Sequence, residues 1–178
     1  MAFSDTMKVV ARDLSGFAYN GKPLRKSDVL TIDPRIPRIM FRGPLDIKAL
    51  NFASSTEVIL ADHSKVVHIM AAGRLISLGN LFCGSIEAGS DIIVKGDLVT
   101  WLGDVETTTG NVFVSGDLNS AHRIIAPEGA VIVNGEAAAE SEPQARFFWE
   151  GKSGKPLPDK YKALAQTAGQ AIKSILRG

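Results

Sequence analysis

Apolar positions cluster in seven short β-branched or aromatic runs along this chain, and each run closes on a small or turn-forming residue. The runs are 38–43, 57–62, 74–79, 91–96, 111–116, 130–135 and 146–151, closing at Gly43, Asp62, Gly79, Gly96, Gly116, Gly135 and Gly151. The closing residues follow one another at intervals of 19, 17, 17, 20, 19 and 16 residues. A repeat of this length is one turn of a β-solenoid, in which about six residues build each of three sides. Successive coils then pair as parallel strands about 4.8 Å apart, so about seven coils make a rod about 30 Å long.

Strand side chains alternate between faces. The positions four and two before each closing residue therefore share a direction. They hold Ile39/Phe41, Val58/Leu60, Leu75/Ser77, Ile92/Val94, Val112/Val114, Val131/Val133 and Phe147/Trp149, which form the expected inward ladder. A second inward column follows two residues after the closing position, at Leu45, Leu81, Leu98, Leu118 and Ala137, with a break at Ser64. The position between the two inward residues points outward and holds Met40, Ile59, Ile76, Ile93, Phe113, Ile132 and Phe148. An apolar stripe of that length requires a cover.

The C-terminal segment offers one. Beyond the breakers of 151–158, residues 159–176 carry Tyr161, Leu164, Ala165, Ala168, Ile172, Ile175 and Leu176 at helical spacing, with Pro158 and Asp159 as the start. Such a helix is about 27 Å long, close to the rod itself. It is expected to lie along the stripe through Tyr161, Leu164, Ala168, Ile172 and Ile175, with Gly169 allowing close approach to the sheet. A second copy of the chain is the competing cover. Residues 1–35 lie outside the repeat and read as a cap with a hairpin turn at Asn20-Gly21, followed by Pro34 and Pro37 at the entry to the first coil. The expected layout is thus cap 1–35, solenoid 36–151, and linker with docked helix 152–178. Phe147, Phe148 and Trp149 are expected to close the core at the far end.

Charge is balanced, with 20 basic and 19 acidic residues, and lacks the basic excess of a nucleic-acid binder. The single cysteine, Cys83, sits in an apolar run and reads as a packed residue. The N-terminus lacks the pattern of a secretory signal, and no stretch is long and apolar enough to span a bilayer. A cytoplasmic location is the resulting expectation.

Candidate chemistry is sparse. No GxSxG, HExxH, paired CxxC or GxGxxG pattern occurs, so no catalytic residue is assigned. Gly151-Lys-Ser-Gly-Lys155 lacks the first glycine of a phosphate loop. The polar column His63, Asn80, Asp97, Asp117 and Glu136 reads as corner residues bonded to the turn backbone, with cation binding as the lesser reading. His63, His68 and His122 could ligate a metal only with help from a neighbouring subunit, because His122 falls three coils away. No cofactor is expected.

Between residues 84 and 135, Gly-Ser-Ile-Glu-Ala-Gly is followed by Val-Lys-Gly-Asp-Leu, Gly-Asp-Val, Val-Ser-Gly-Asp-Leu and Val-Asn-Gly-Glu. This succession resembles the bactofilins, bacterial polymer-forming cytoskeletal proteins, and is similar to the C-terminal solenoid of the division inhibitor MinC. The resemblance implies a right-handed triangular solenoid and a non-enzymatic scaffold whose partner is another copy of itself. The alternatives are a trimeric left-handed β-helix enzyme of the acyltransferase or γ-carbonic-anhydrase type, and a regulator or inhibitor that binds one protein partner.

Overall fold

The structure, a computed structural model, describes residues 24–177 together with the strands Thr6–Val9, Asp13–Ser15, Ala18–Tyr19 and Lys22–Pro23. The chain is a parallel β-solenoid of about six turns followed by a single helix, α1 (Asp159–Arg177).

Three stacks of strands form the three faces. The first runs through Arg38–Arg42, Glu57–Leu60, Leu75–Ser77, Ile92–Val94 and Val112–Val114, then the end of Ile124–Val133 and the end of Gln144–Glu150. Its register sets Ile39 opposite Val58, Val58 opposite Leu75, Leu75 opposite Ile92, Ile92 opposite Val112 and Val112 opposite Val131. The second face stacks Leu81 on Ser64, Leu98 on Leu81, Leu118 on Leu98 and Ala137 on Leu118. The column is continuous in space: Ser64 is buried and satisfies its hydroxyl on the carbonyl of Asp62 at 3.1 Å. The third face went unread in the sequence. It aligns Leu50, Ile69, Ile86, Val105 and Ile124, all essentially inaccessible.

These columns meet in one core of β-branched and leucine side chains around Phe41. Each fully buried aliphatic there contributes about 1.5–3 kcal/mol. Polar residues that enter the core are bonded. Ser77 donates to the Gly79 carbonyl at 3.0 Å and Thr100 to that of Gly103 at 2.9 Å.

Two expectations need correction. The boundary at residue 35 falls inside the solenoid, because Val29–Ile32 stacks on Asp46–Phe52, Thr6–Val9 on Val29–Ile32, and Asp13–Ser15 on Arg38–Arg42. Ala18–Tyr19 and Lys22–Pro23 pair antiparallel, while Asn20-Gly21 lies outside the described residues. In the final coil the register is one residue away from the motif alignment. Ala130 pairs with Phe147, Val131 with Phe148 and Ile132 with Trp149. A slip of one residue exchanges the faces of a strand. Phe148 therefore packs on the inner core, while Phe147 and Trp149 point outward.

The corners explain the glycines. Asp117 donates its backbone N–H to Asp97 Oδ1 at 2.8 Å, and Glu136 donates to Asp117 Oδ1 at 2.9 Å. The space that each acceptor needs is the space a Cβ would fill: a methyl at Gly116 would overlap Asp97 Oδ1, and one at Gly135 would overlap Asp117 Oδ1. At Gly169, inside α1, nothing lies within 4 Å of an added Cβ. Close approach to the sheet, the sequence-based reason for that glycine, is therefore not what the structure contains. Two substitutions to alanine should move in opposite directions. Gly116→Ala should cost about 1–3 kcal/mol by overpacking, and Gly169→Ala should add about 0.5–1 kcal/mol through helix propensity. Thermal melts of both variants check the pair; equal shifts would contradict the geometry.

Candidate functional site

Among the described residues, the outward apolar stripe of the first face is the extended apolar surface that another element covers. Ile59, Ile76, Ile93, Phe113 and Ile132 form a second buried cluster with Ala168, Ile172 and Ile175 of α1. Met40 packs at its margin, as do Phe147 and Trp149 in the role expected of Phe148. Phe147 stacks on Tyr161 with ring centroids 3.7 Å apart and planes 5° from parallel. Trp149 donates its indole N–H to the Lys155 carbonyl at 2.9 Å, which fixes the linker over the last coil. The helix then begins where Tyr161 and Lys162 donate to the Pro158 carbonyl.

The fit is incomplete. A cavity of about 120 Å³ lies between Ile93, Phe113 and Ile132 on the sheet and Ala165, Gly169 and Ile172 on α1. Leu164, expected at the interface, stands on the flank of the helix with 36% of its surface exposed, and Leu176 is 56% exposed. A helix presents only a narrow arc to a flat sheet, and Tyr161, Ala168, Ile172 and Ile175 occupy it. Among the described residues, no hydrogen bond or ion pair joins α1 to the solenoid. Apolar contact and the Phe147–Tyr161 stack hold it.

The polar residues singled out in the sequence form a corner ladder. Asn80 donates its backbone N–H to His63 Nδ1 at 2.8 Å, Asp97 donates to Asn80 Oδ1 at 2.9 Å, and the ladder continues through Asp117 to Glu136. Accepting that bond leaves the ring proton of His63 on Nε2. Matching corners use Asp91 and Asn111, which accept from the backbone of Asn111 and Ala130. These oxygens are engaged in fixing coil spacing.

The histidines do not converge. His63 belongs to that ladder, His68 Nδ1 lies 3.2 Å from the Ser85 hydroxyl, and His122 Nδ1 lies 3.3 Å from Glu140 Oε2. Among the described residues, no group of three His, Cys, Asp or Glu side chains is placed to hold a metal. Cys83 is inaccessible, and burial pushes its thiol up to about 12, away from a nucleophilic thiolate.

One corner pair is electrostatically tuned. Arg123 donates to Asp104 through its guanidinium at 2.9 Å and its backbone N–H at 2.8 Å. Chiefly through the side-chain bond, this holds the Asp104 carboxyl below its ordinary 3.8. A depressed carboxyl contributes stability above its unfolded pKa and loses it as pH falls through the folded value. Asp104→Asn should therefore melt lower than the parent at pH 7, and the difference should shrink below about pH 4. Melting curves at pH 7, 4 and 2 test this; a gap constant with pH would contradict it.

Other apolar side chains stay uncovered on the remaining faces: Met70 is 57% exposed and Leu102 53%, and Phe82 and Trp101 are partly exposed, with the Lys65 ammonium 5.5 Å above the Trp101 ring. No helix among the described residues is long and apolar enough to cross a membrane. Comparison with protein-family models, with curated proteins and with solved structures returned no match.

Proposed function

We propose that the protein is a non-enzymatic structural scaffold that assembles with copies of itself, in the manner of the bactofilins it resembles. The observation that carries this reading is the open end of the rod. The last strand, Gln144–Glu150, pairs with Ile124–Val133 on one side, and no described strand pairs with its other side. A parallel edge of that length is a template for another chain. The inner core reaches the same end: Phe148, Ala145 and Ala139 pack against it but are only partly buried. Glu150 closes just one corner, accepting the Ala137 N–H at 2.8 Å. A rod whose interior is continuous to its tip adds length by adding coils.

The helix enters this reading as the cover of the lateral face. With the stripe from Ile59 to Ile132 buried under α1, association runs along the rod axis. Sedimentation velocity across concentration tests the reading on three proteins. The intact chain should form assemblies that grow with concentration. Ala145→Lys places a charge on the inner side of the terminal strand and should leave discrete particles. A chain truncated after Gly151 should add side-by-side association through the uncovered stripe. A concentration-independent monomer for the intact chain would refute the scaffold.

A further inference from the structure

We infer that α1 is also a detachable, membrane-seeking helix that recognises an anionic lipid surface. The first observation is the distribution of charge. Six of the 20 basic residues but only one of the 19 acidic residues lie after Gly151, leaving the preceding 151 residues with an acidic excess of four. The six are Lys152, Lys155, Lys160, Lys162, Lys173 and Arg177. Lys152 pairs with Glu136 at 2.7 Å and Lys162 with Asp159 within α1. The others make no ion pair among the described residues.

The second observation is where these cations sit. Lys160 and Leu164, four residues apart, mark one margin of the buried face of α1. Lys173 and Leu176, three residues apart, mark the opposite margin. Both lysines and both leucines are exposed. The apolar arc of the helix is thus wider than the solenoid stripe on which it rests, and each uncovered edge ends in a lysine. An acidic protein bound to the outer surface would pair with the lysines and leave the arrangement of the leucines without a purpose. A lipid interface takes both. The arc from Leu164 to Leu176 enters the acyl boundary while the lysines extend their heads to the phosphates.

The third observation is the attachment itself. Contact between α1 and the solenoid is apolar apart from one aromatic stack, it leaves a partly open cavity, and it lacks polar pairing among the described residues. The linker 152–158 is largely exposed. Release therefore leaves no buried charge or orphaned hydrogen bond behind, and lipid replaces one apolar contact by another. Anionic headgroups then attract the basic residues near the surface.

Flotation of the full-length protein with vesicles decides the matter. The protein should float with vesicles of equal phosphatidylglycerol and phosphatidylcholine, stay unbound with phosphatidylcholine alone, and dissociate as salt rises. Lys160→Gln, Lys162→Gln and Lys173→Gln together should weaken binding at least tenfold, while the same three positions changed to arginine should retain it. Because all three side chains are exposed, both variants should melt with the parent. On bound protein a cysteine placed by Ile76→Cys should become open to a thiol reagent, because the stripe loses its cover while its strands keep their backbone pairing. Binding to poly-glutamate without binding to vesicles would mean an acidic-protein site and overturn the proposal. So would indifference to the lysine-to-glutamine changes, or vesicle binding with the stripe still protected.

Discussion

Register between successive coils is the constraint on which everything else in this rod depends. Each strand is useful only if its inward residues fall on those of the coil below, since a one-residue slip would turn an entire apolar set toward solvent. Parallel backbone pairing alone is compatible with several registers. The corners remove that freedom. A side-chain oxygen of Asn80, Asp97 or Asp117, or the ring nitrogen of His63, accepts the N–H of its counterpart one coil on. The glycine preceding that counterpart makes room for the acceptor. Acceptor and glycine thus act as one device, and the recurrence of Gly-Asp or Gly-Asn in the sequence is its signature.

That device is also why so much of the fold was legible. The closing residues located six coils in correct register, and the alternation within each run assigned the inward and outward columns from Met40 to Ile132. Reading failed where the device is absent. In the last coil the Lys152 N–H goes to the Gly135 carbonyl and not to the side chain of Glu136, and Gly151 lies against Asn134 instead of Gly135. Phe147, Phe148 and Trp149 are all large and apolar, so alternation could not say which two face out. The deciding contacts, Tyr161 on Phe147 and the Lys155 carbonyl on Trp149, come from residues beyond the repeat. The third face stayed hidden for a related reason. Loops of unequal length separate Ile69, Ile86, Val105 and Ile124 from the closing residues, so counting from those residues loses the column.

On the helix, periodicity identified the element and its boundaries but could not weigh its edges. Leu164 has the spacing of a core residue, yet the curvature of a helix against a nearly flat face leaves it on the rim. Gly169 has the look of a packing glycine and lies instead over a cavity. Both departures have one origin. The strands were fixed by hydrogen bonds whose donors and acceptors are written in the sequence, whereas α1 is held by apolar area alone, and area does not specify position.

This difference in attachment divides the molecule into a hydrogen-bonded rod and a helix held by apolar contact, which share an end. The linker leaves the terminal strand, is anchored by Trp149, and turns α1 back along the first face, so the helix runs beside the rod. Were α1 to lie in a lipid interface, the rod tethered to it by 152–158 would be held close to that surface. The exposed edge of Gln144–Glu150 would remain free for axial addition, because the linker leaves from the corner at Glu150 and Gly151 and no described strand covers that edge. The two proposed contacts then use different chemistry and different surfaces. Backbone pairing works along the axis and is insensitive to salt. Cations and apolar edges work laterally and are sensitive to it. A scaffold built this way can lengthen with or without a membrane, and attach to one without giving up its growing end.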